Sequence, residues 1–490
     1  MLALEEYTRK TTLFRVLCVV TGTPLPTLAL VLCQESIPLQ DPAERWSVNY
    51  GFWIRMMVLG FGEGCATSIQ LRHLLDDMTL SFKQTVLLGI SVAVGYTATA
   101  MMVASYWTFP IPFVNFILSI VLIVAFVVVV RLILGKQRFQ YILSQRKKLR
   151  QCVNFLLVQM IMVSIYPAYQ FLFDSVLHTR YEIPVLMLLP ILKLVLRNIF
   201  TFAIYHMEDI IPEQVILTVD FFDAFYLAIC MQTSSSITTV IVIMIVDFVQ
   251  TAVDLIELYQ RTREIQTRLG AIDPIQVVQP GSMVSYANNM APNAPKSTVG
   301  LKTKSNVDIL YESLEVLFTA ECLILTEYLE TFVPVLYGTY ILVMVHLPSA
   351  QYHTEMEGVT TENVSDKVQN VFIYATLELA SLAVLTGIMW RNCGIRALYQ
   401  LAFVLETQAA LVQSKLMLWV LMTLTYRVTH FGKVNWKPHV CAITTFSNWY
   451  VVNTSRFRVD RTLKQLISQR INHPMHVDPL VLQSRHISDA

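Results

Sequence analysis

Apolar residues gather along the chain in blocks of roughly twenty, parted by short polar stretches, and this spacing predicts helices that cross a membrane. An α-helix rises 1.5 Å per residue, so about 20 apolar residues traverse a hydrocarbon core of about 30 Å. Blocks of this kind run over 13–33, 50–71, 84–107, 113–134, 153–172, 184–205, 215–231, 236–259, 331–347, 371–390 and 409–431. The expected fold is an all-α polytopic transmembrane helix bundle of ten to twelve spans. A secretory signal is the other reading of the first block, but it is long and lacks a small-residue cleavage site, so a retained helix is expected.

The polar stretches orient this bundle. Lys136, Arg138, Arg146, Lys147, Lys148 and Arg150 follow one another with no acidic residue between them. Basic loops collect on the cytoplasmic side, so counting back four spans puts the N-terminus in the cytoplasm and the segment 34–49 outside. The stretch 261–306 is rich in Pro, Gly, Asn and Ser and carries Arg261, Arg263, Arg268, Lys296, Lys302 and Lys304. Its composition predicts a disordered linker, and the span count puts it inside, as its charge requires. The segment 351–367 falls outside and holds the sequon Asn363-Val364-Ser365, a glycosylation acceptor. A second sequon begins at Asn453, whereas Arg456, Arg458, Arg461, Lys464 and Arg470 pull the tail inward. The side of the tail stays open. The expected organisation is an N-terminal bundle of about eight spans over 1–259, a cytoplasmic linker over 260–306, a C-terminal bundle of about three spans plus interfacial helices over 307–431, and a tail over 432–490.

Composition sharpens the class. Of 490 residues, 54% are hydrophobic and 14% charged, against about 25% charged in a soluble domain. The expected location is a plasma membrane or endomembrane, with lipid as a partner. A net charge of +1 makes no case for a nucleic-acid partner. The eight cysteines are scattered, and Cys18, Cys65, Cys230 and Cys322 fall within apolar runs, where they read as small buried residues. No GxxxxGK[ST], HExxH, GxSxG or CxxC pattern occurs, so no enzyme activity, catalytic residue, metal or cofactor is expected. Tyr96, Trp107, Tyr166, Tyr205 and Trp390 lie near the ends of blocks and read as interfacial belt residues.

Chemistry enters through the charges inside the apolar blocks. Lys193 and Arg197 share one block, Asp220 and Asp223 the next, and Asp247 and Asp254 the third; Glu63 and Glu378 stand in two others. An ionised group at membrane depth persists only when paired, wet or neutralised, which makes each a functional-site hypothesis. Counting at 1.5 Å per residue puts Arg197 and Asp223 both about 12 Å from one side, and Lys193 and Asp247 both roughly 18 Å in. Two cross-helix pairs are therefore expected, Lys193 with Asp247 and Arg197 with Asp223. Glu63 lies in GFGEG, where Gly60, Gly62 and Gly64 weaken a helix and predict a break at a cavity. Close packing through small residues is the alternative.

The runs 321–340, 344–356 and 391–408 resemble those of a large multi-pass membrane-protein family of oomycetes. That resemblance covers the last third of the chain, implies a membrane protein and transfers no functional residue. The charges lead to the expectation of a secondary transporter of an unidentified solute, with proton coupling as an option. Its pathway would be lined by Glu63, Lys193, Arg197, Asp220, Asp223, Asp247 and Glu378, and its partners would be a small solute or a proton. The alternative is a membrane receptor or scaffold in which these charges are structural ion pairs. No inverted repeat is visible, which weighs against transport.

Overall fold

The computed structural model describes residues 2–75, 80–107, 109–111, 114–177, 179, 181–204, 211–233, 237–272, 300–425 and 427–431. Fifteen α-helices occur among them: α1 Leu2–Lys10, α2 Leu13–Gly22, α3 Leu25–Glu35, α4 Tyr50–Leu74, α5 Phe82–Tyr106, α6 Val114–Ser144, α7 Arg146–Val176, α8 Glu182–Leu186, α9 Leu188–Ile204, α10 Ile211–Thr233, α11 Ile237–Ile272, α12 Gly300–Met344, α13 Val364–Ile388, α14 Ala397–Thr407 and α15 Ala409–Thr425. The described residues contain no strand, only an isolated antiparallel bridge between His353 and Val428. The all-α expectation holds.

Local sequence sets several boundaries. Ser81 starts α5 with a reciprocal cap: the Gln84 N–H donates to the Ser81 hydroxyl, and the Ser81 N–H donates to the Gln84 side chain. Gly135 bends α6 with φ +76°, a conformation glycine adopts without a Cβ penalty. At the far end of α13 a π-turn over Met389–Cys393 closes on Gly394, which sits in the left-handed region. Much of the expected linker is helical at its edges, since α11 continues to Ile272 and α12 begins at Gly300. Residues 273–299 and the tail 432–490 lie outside the described residues.

Seven stretches are long and apolar enough to cross a membrane: Leu13–Glu35, Phe82–Tyr106, Ile120–Ser144, Arg146–Val176, Glu182–Ala203, Gln214–Thr233 and Val364–Asn392. A bent pair, Ala397–Thr407 with Ala409–Leu424, turns by 83° and brings the count to eight if it forms one span. The chain is a multi-pass membrane protein. Helices α4, α11 and α12, with 25, 36 and 45 residues, also have the length for a crossing. They carry charges such as Arg55, Glu63, Glu327 and Glu330 that lower their apolar content. Outward faces fit a lipid surround: Ile241, Ile245, Phe248, Val249, Val253 and Ile256 make an exposed stripe on α11, larger than a soluble surface tolerates.

The bundle is built around α10. Every residue from Gln214 to Gln232 is buried, and the helix packs against α7, α9, α12, α13 and α15. The helices of both expected bundles thus belong to one compact unit, Met1–Lys433. Tyr96 and Tyr166, expected at an interface, are 2% and 0% exposed and lie in this core, while Trp107 and Trp390 are on the surface. Tyr205 lies outside the described residues. Six cysteines, Cys18, Cys33, Cys65, Cys152, Cys230 and Cys322, are free thiols, and Cys18, expected to be buried, is exposed.

Candidate functional site

Helical spacing delivers charged side chains in pairs to one place beside α10. Residues three or four apart share a helical face: Lys193 and Arg197 on α9, Asp220 and Asp223 on α10, Glu327 and Glu330 on α12, Glu378 and Ser381 on α13. Lys193 is at the centre, 3% exposed. Its ammonium donates to Glu330 Oε1 and lies 3.4 Å from Asp220 Oδ1 and 3.5 Å from Asp223 Oδ2. Arg197 Nη2 donates to Asp220 Oδ1 at 2.6 Å, and Thr326 caps the other Asp220 oxygen at 3.4 Å. Glu327 accepts from the Thr251 hydroxyl of α11 at 2.6 Å and from the Ser381 hydroxyl at 3.1 Å. Carboxylate oxygens of Glu327, Glu330 and Glu378 lie within 4.8 Å of one another. This is the one carboxylate trio among the described residues with the spacing to hold a metal ion.

Depth follows from the helix rise. Glu330 lies fourteen residues before the end of α12 and Glu378 fourteen after the start of α13, about 21 Å from that end at 1.5 Å per residue. That is the interior of a hydrocarbon core about 30 Å thick.

The structure brings together Lys193, Arg197, Asp220, Asp223 and Glu378 from the sequence expectation, and it exchanges their partners. Arg197 pairs with Asp220 instead of Asp223, and Asp223 turns to Lys193. The exchange arises because Asp220 and Asp223 occupy one face of α10 and Lys193 reaches both. Matching depth alone could not choose between them. The side chains of Asp247 and Asp254 lie outside the described residues, and the Lys193 contacts in view are with Glu330, Asp220 and Asp223.

Glu63 is a second correction. No break occurs at GFGEG: α4 is continuous from Tyr50 to Leu74. The glycines serve contact instead. A Cβ on Gly60 would meet Ala93 Cα at 3.1 Å, one on Gly64 would meet Gly89 Cα at 3.1 Å, and one on Gly62 would meet Leu421 Cδ1 at 3.0 Å. Packing against α5 and α15 repays the low helix propensity. Glu63 itself has Oε2 buried without a hydrogen-bond partner. Asn363 stands at the start of α13, with its Nδ2 donating to Gly358 O at 2.9 Å and its Oδ1 accepting from the Thr360 N–H at 2.8 Å.

Glu330 was missed by sequence reasoning. Its signal was present, since Glu327 and Glu330 share a face immediately before the apolar run 331–347. Also missed was a second charged cluster at one end of the bundle. There Arg55, 2% exposed, donates to the Glu35 carboxylate, to Glu35 O at 2.9 Å and to Ile37 O at 2.6 Å. His353 Nε2 lies 2.9 Å from Glu35 Oε2, and its Nδ1 is 3.8 Å from Glu355 Oε1. Arg427 Nε donates to Glu355 Oε2 at 2.9 Å, and Gln232 Nε2 donates to Glu355 O at 3.1 Å. Burial alone would lower the His353 pKa, but hydrogen bonds to Glu35 and Glu355 raise it to about 9. Nearby His430 goes the other way, to about 4, because burial outweighs its bond to Gln40 O. This clasp ties the ends of α3 and α10 and the residues after α15 to α4 and to the segment 353–355. The segments 34–49 and 351–363 therefore meet at one end, the parity the loop charges predict.

These features define a polytopic, all-helical membrane protein with a buried charge network beside α10. No protein-family model, curated protein or solved structure matches the chain.

Proposed function

We propose that this protein is a secondary transporter that couples movement of a small solute to a proton, with Lys193, Arg197, Asp220, Asp223, Glu327, Glu330 and Glu378 as the ion pathway. One observation carries the reading: among the described residues, five buried carboxylates gather around Lys193 and Arg197 beside α10. Like charges crowded in a low-dielectric interior favour whatever neutralises them, so the cluster is suited to hold a proton or a cation. Moving α9 or α13 against α10 would change which carboxylate faces Lys193, and so change how many protons the group holds. That is the coupling step. Helix α10 supplies Asp220 and Asp223, α9 the cations, and α12 and α13 the trio of glutamates. The loop charges support a cytoplasmic N-terminus, with Asn363 on the outer side as a glycosylation site.

One observation favours the receptor or scaffold reading. The described groove between α12 and α13, about 540 Å³, is lined by residues such as Phe372, Ile373, Thr376 and Leu377 and by no charged side chain. The deciding experiment uses the full-length protein in liposomes that contain a pH-sensitive dye. Amino acids, sugars, organic acids, phosphate and metal cations are added one at a time under an imposed membrane potential. The expected result is proton movement driven by at least one solute and abolished by Glu378→Gln in a protein that still folds. Proton movement with no member of the panel, from monodisperse protein, overturns transport in favour of the scaffold.

A further inference from the structure

Helix α10 has a second polar face. Successive residues turn by about 100° on a helix, so Thr218 and Asp220 point to nearly opposite sides, while Gln214, Thr218 and Phe222 share one side. That side meets α15. Lys415 of α15 is fully buried. Its ammonium donates to the Thr218 hydroxyl at 3.1 Å, and Thr218 in turn donates to Gln214 O at 2.8 Å. The rest of its shell is aromatic, with Phe155, Trp419 and Phe200 ring centres at 5.0, 5.1 and 5.9 Å. No carboxylate of the described residues lies within salt-bridge distance of it. Ring faces attract a cation but accept none of its N–H bonds with the strength of an anion, and an ammonium has three donors to satisfy.

Two further groups point the same way. Gln214 is 0% exposed, and neither its Nε2 nor its Oε1 has a hydrogen-bond partner. Trp419 is 1% exposed, and its indole N–H is likewise without one. Gln214 is one turn from Thr218 and Trp419 one turn from Lys415, each about 6 Å along its helix. Gln214 thus lies one turn from the Thr218 that holds the ammonium, and the Trp419 ring packs against that ammonium at 5.1 Å. Buried donors without acceptors are rare in folded proteins because each forfeits its bond to water.

We propose that Lys415, Gln214 and Trp419 form a binding site for a small monovalent anion, of halide or carboxylate type, on the face of α10 opposite the Lys193 network. The anion supplies the missing countercharge and takes N–H bonds from the amide and the indole, and Thr218 fixes the ammonium. A divalent oxyanion exceeds the single positive charge on offer. The site does not rest on transport, because it is defined by binding alone.

The test is binding of radiolabelled chloride to the purified full-length protein, with unlabelled formate and sulfate as competitors. Saturable chloride binding is expected, displaced by formate and not by sulfate. Displacement by formate only at far higher concentration than unlabelled chloride identifies a halide site, and tighter displacement by formate identifies a carboxylate site. Lys415→Met should abolish binding. Trp419→Phe keeps the ring and removes the N–H, and Gln214→Leu removes the amide; each should weaken binding at least tenfold. If Lys415→Met fails to fold, the other two variants decide. No saturable binding of chloride or formate by the wild type overturns the proposal, and so does wild-type affinity in Trp419→Phe and Gln214→Leu together.

Discussion

The clasp at the bundle end and the network beside α10 both set basic groups against carboxylates in largely buried surroundings, yet they are built on opposite principles. In the clasp, Arg55, Arg427 and His353 serve two carboxylates, and the surplus N–H groups go to the carbonyls of Glu35 and Ile37. In the network, five carboxylates of the described residues gather around Lys193 and Arg197, and helical backbones at mid-span have no free carbonyl or N–H to offer. The sign of the surplus separates them. A cation surplus can be absorbed by backbone oxygen at helix ends, so the clasp is glue. Carboxylates inside helices have only hydroxyls, cations or protons to answer them, and the proposed proton pathway would use the last of these.

The largest expected effect breaks the clasp. Arg55→Met strands Glu35 in a buried site, and removing one partner of a buried ion pair costs roughly 3–5 kcal/mol. A strong loss of monodisperse yield and of thermal stability in detergent is expected. Near-normal stability would mean the clasp is not glue.

Next comes pH. His353 has a folded pKa raised from 6.5 to about 9, so its contribution is complete below pH 6.5 and is lost as pH rises through about 9. By linkage it is on the order of 3 kcal/mol. Thermal stability should decline between pH 6.5 and 9 in the wild type, and this decline should vanish in His353→Gln. A flat profile in the wild type would show that the histidine is not held charged. Glu355, although burial would raise it, is lowered by Arg427 and His353, so its contribution is lost only as pH falls below about 4.5.

A smaller effect tests the exchanged partners. Arg197 is about a third exposed in its side chain, so solvent screens part of what Arg197→Gln removes. A loss of about 1–2 kcal/mol is expected, between an exposed pair and a buried one. Reversing the signs with Arg197→Asp and Asp220→Arg should recover part of the yield, and the same reversal with Asp223 should not. Recovery with Asp223 alone would restore the pairing expected from depth.

The network is more legible in the sequence than the clasp for a physical reason. A charge among twenty aliphatic residues is costly, so Lys193, Asp220 and Glu378 announce themselves. Glu35, His353 and Arg427 lie at the edges of polar loops, where a charge is ordinary and only tertiary contact reveals burial. Span lengths and all-helical class follow from hydropathy, which tracks what the bilayer demands. Helix rotation does not, and it decided which aspartate met Arg197. At GFGEG the local argument failed because propensity is weak against packing: contacts of Gly60 and Gly64 with α5 outweigh about 1 kcal/mol per glycine.

The smallest expected stability effect carries the most about the comparison. Glu378 belongs to the carboxylate trio, within 4.8 Å of Glu327 and Glu330. If the trio holds protons, a glutamine at 378 copies the neutral acid in shape and polarity. Glu378→Gln should then change stability by less than about 1 kcal/mol, in the range of a near-isosteric exchange. The parallel change in the clasp, Glu35→Gln, removes the countercharge of Arg55 and His353 and should cost several times more. Measuring both in one detergent over one pH range makes each the control for the other. Equal, large losses would mean that Glu378 is ionised and paired like Glu35, and the acid surplus would no longer distinguish the network. A small loss at Glu378 that grows as pH rises, with a large loss at Glu35, would locate the titrating protons at mid-depth. Their number is then countable, because proton release on raising pH in the wild type should exceed that of Glu378→Gln.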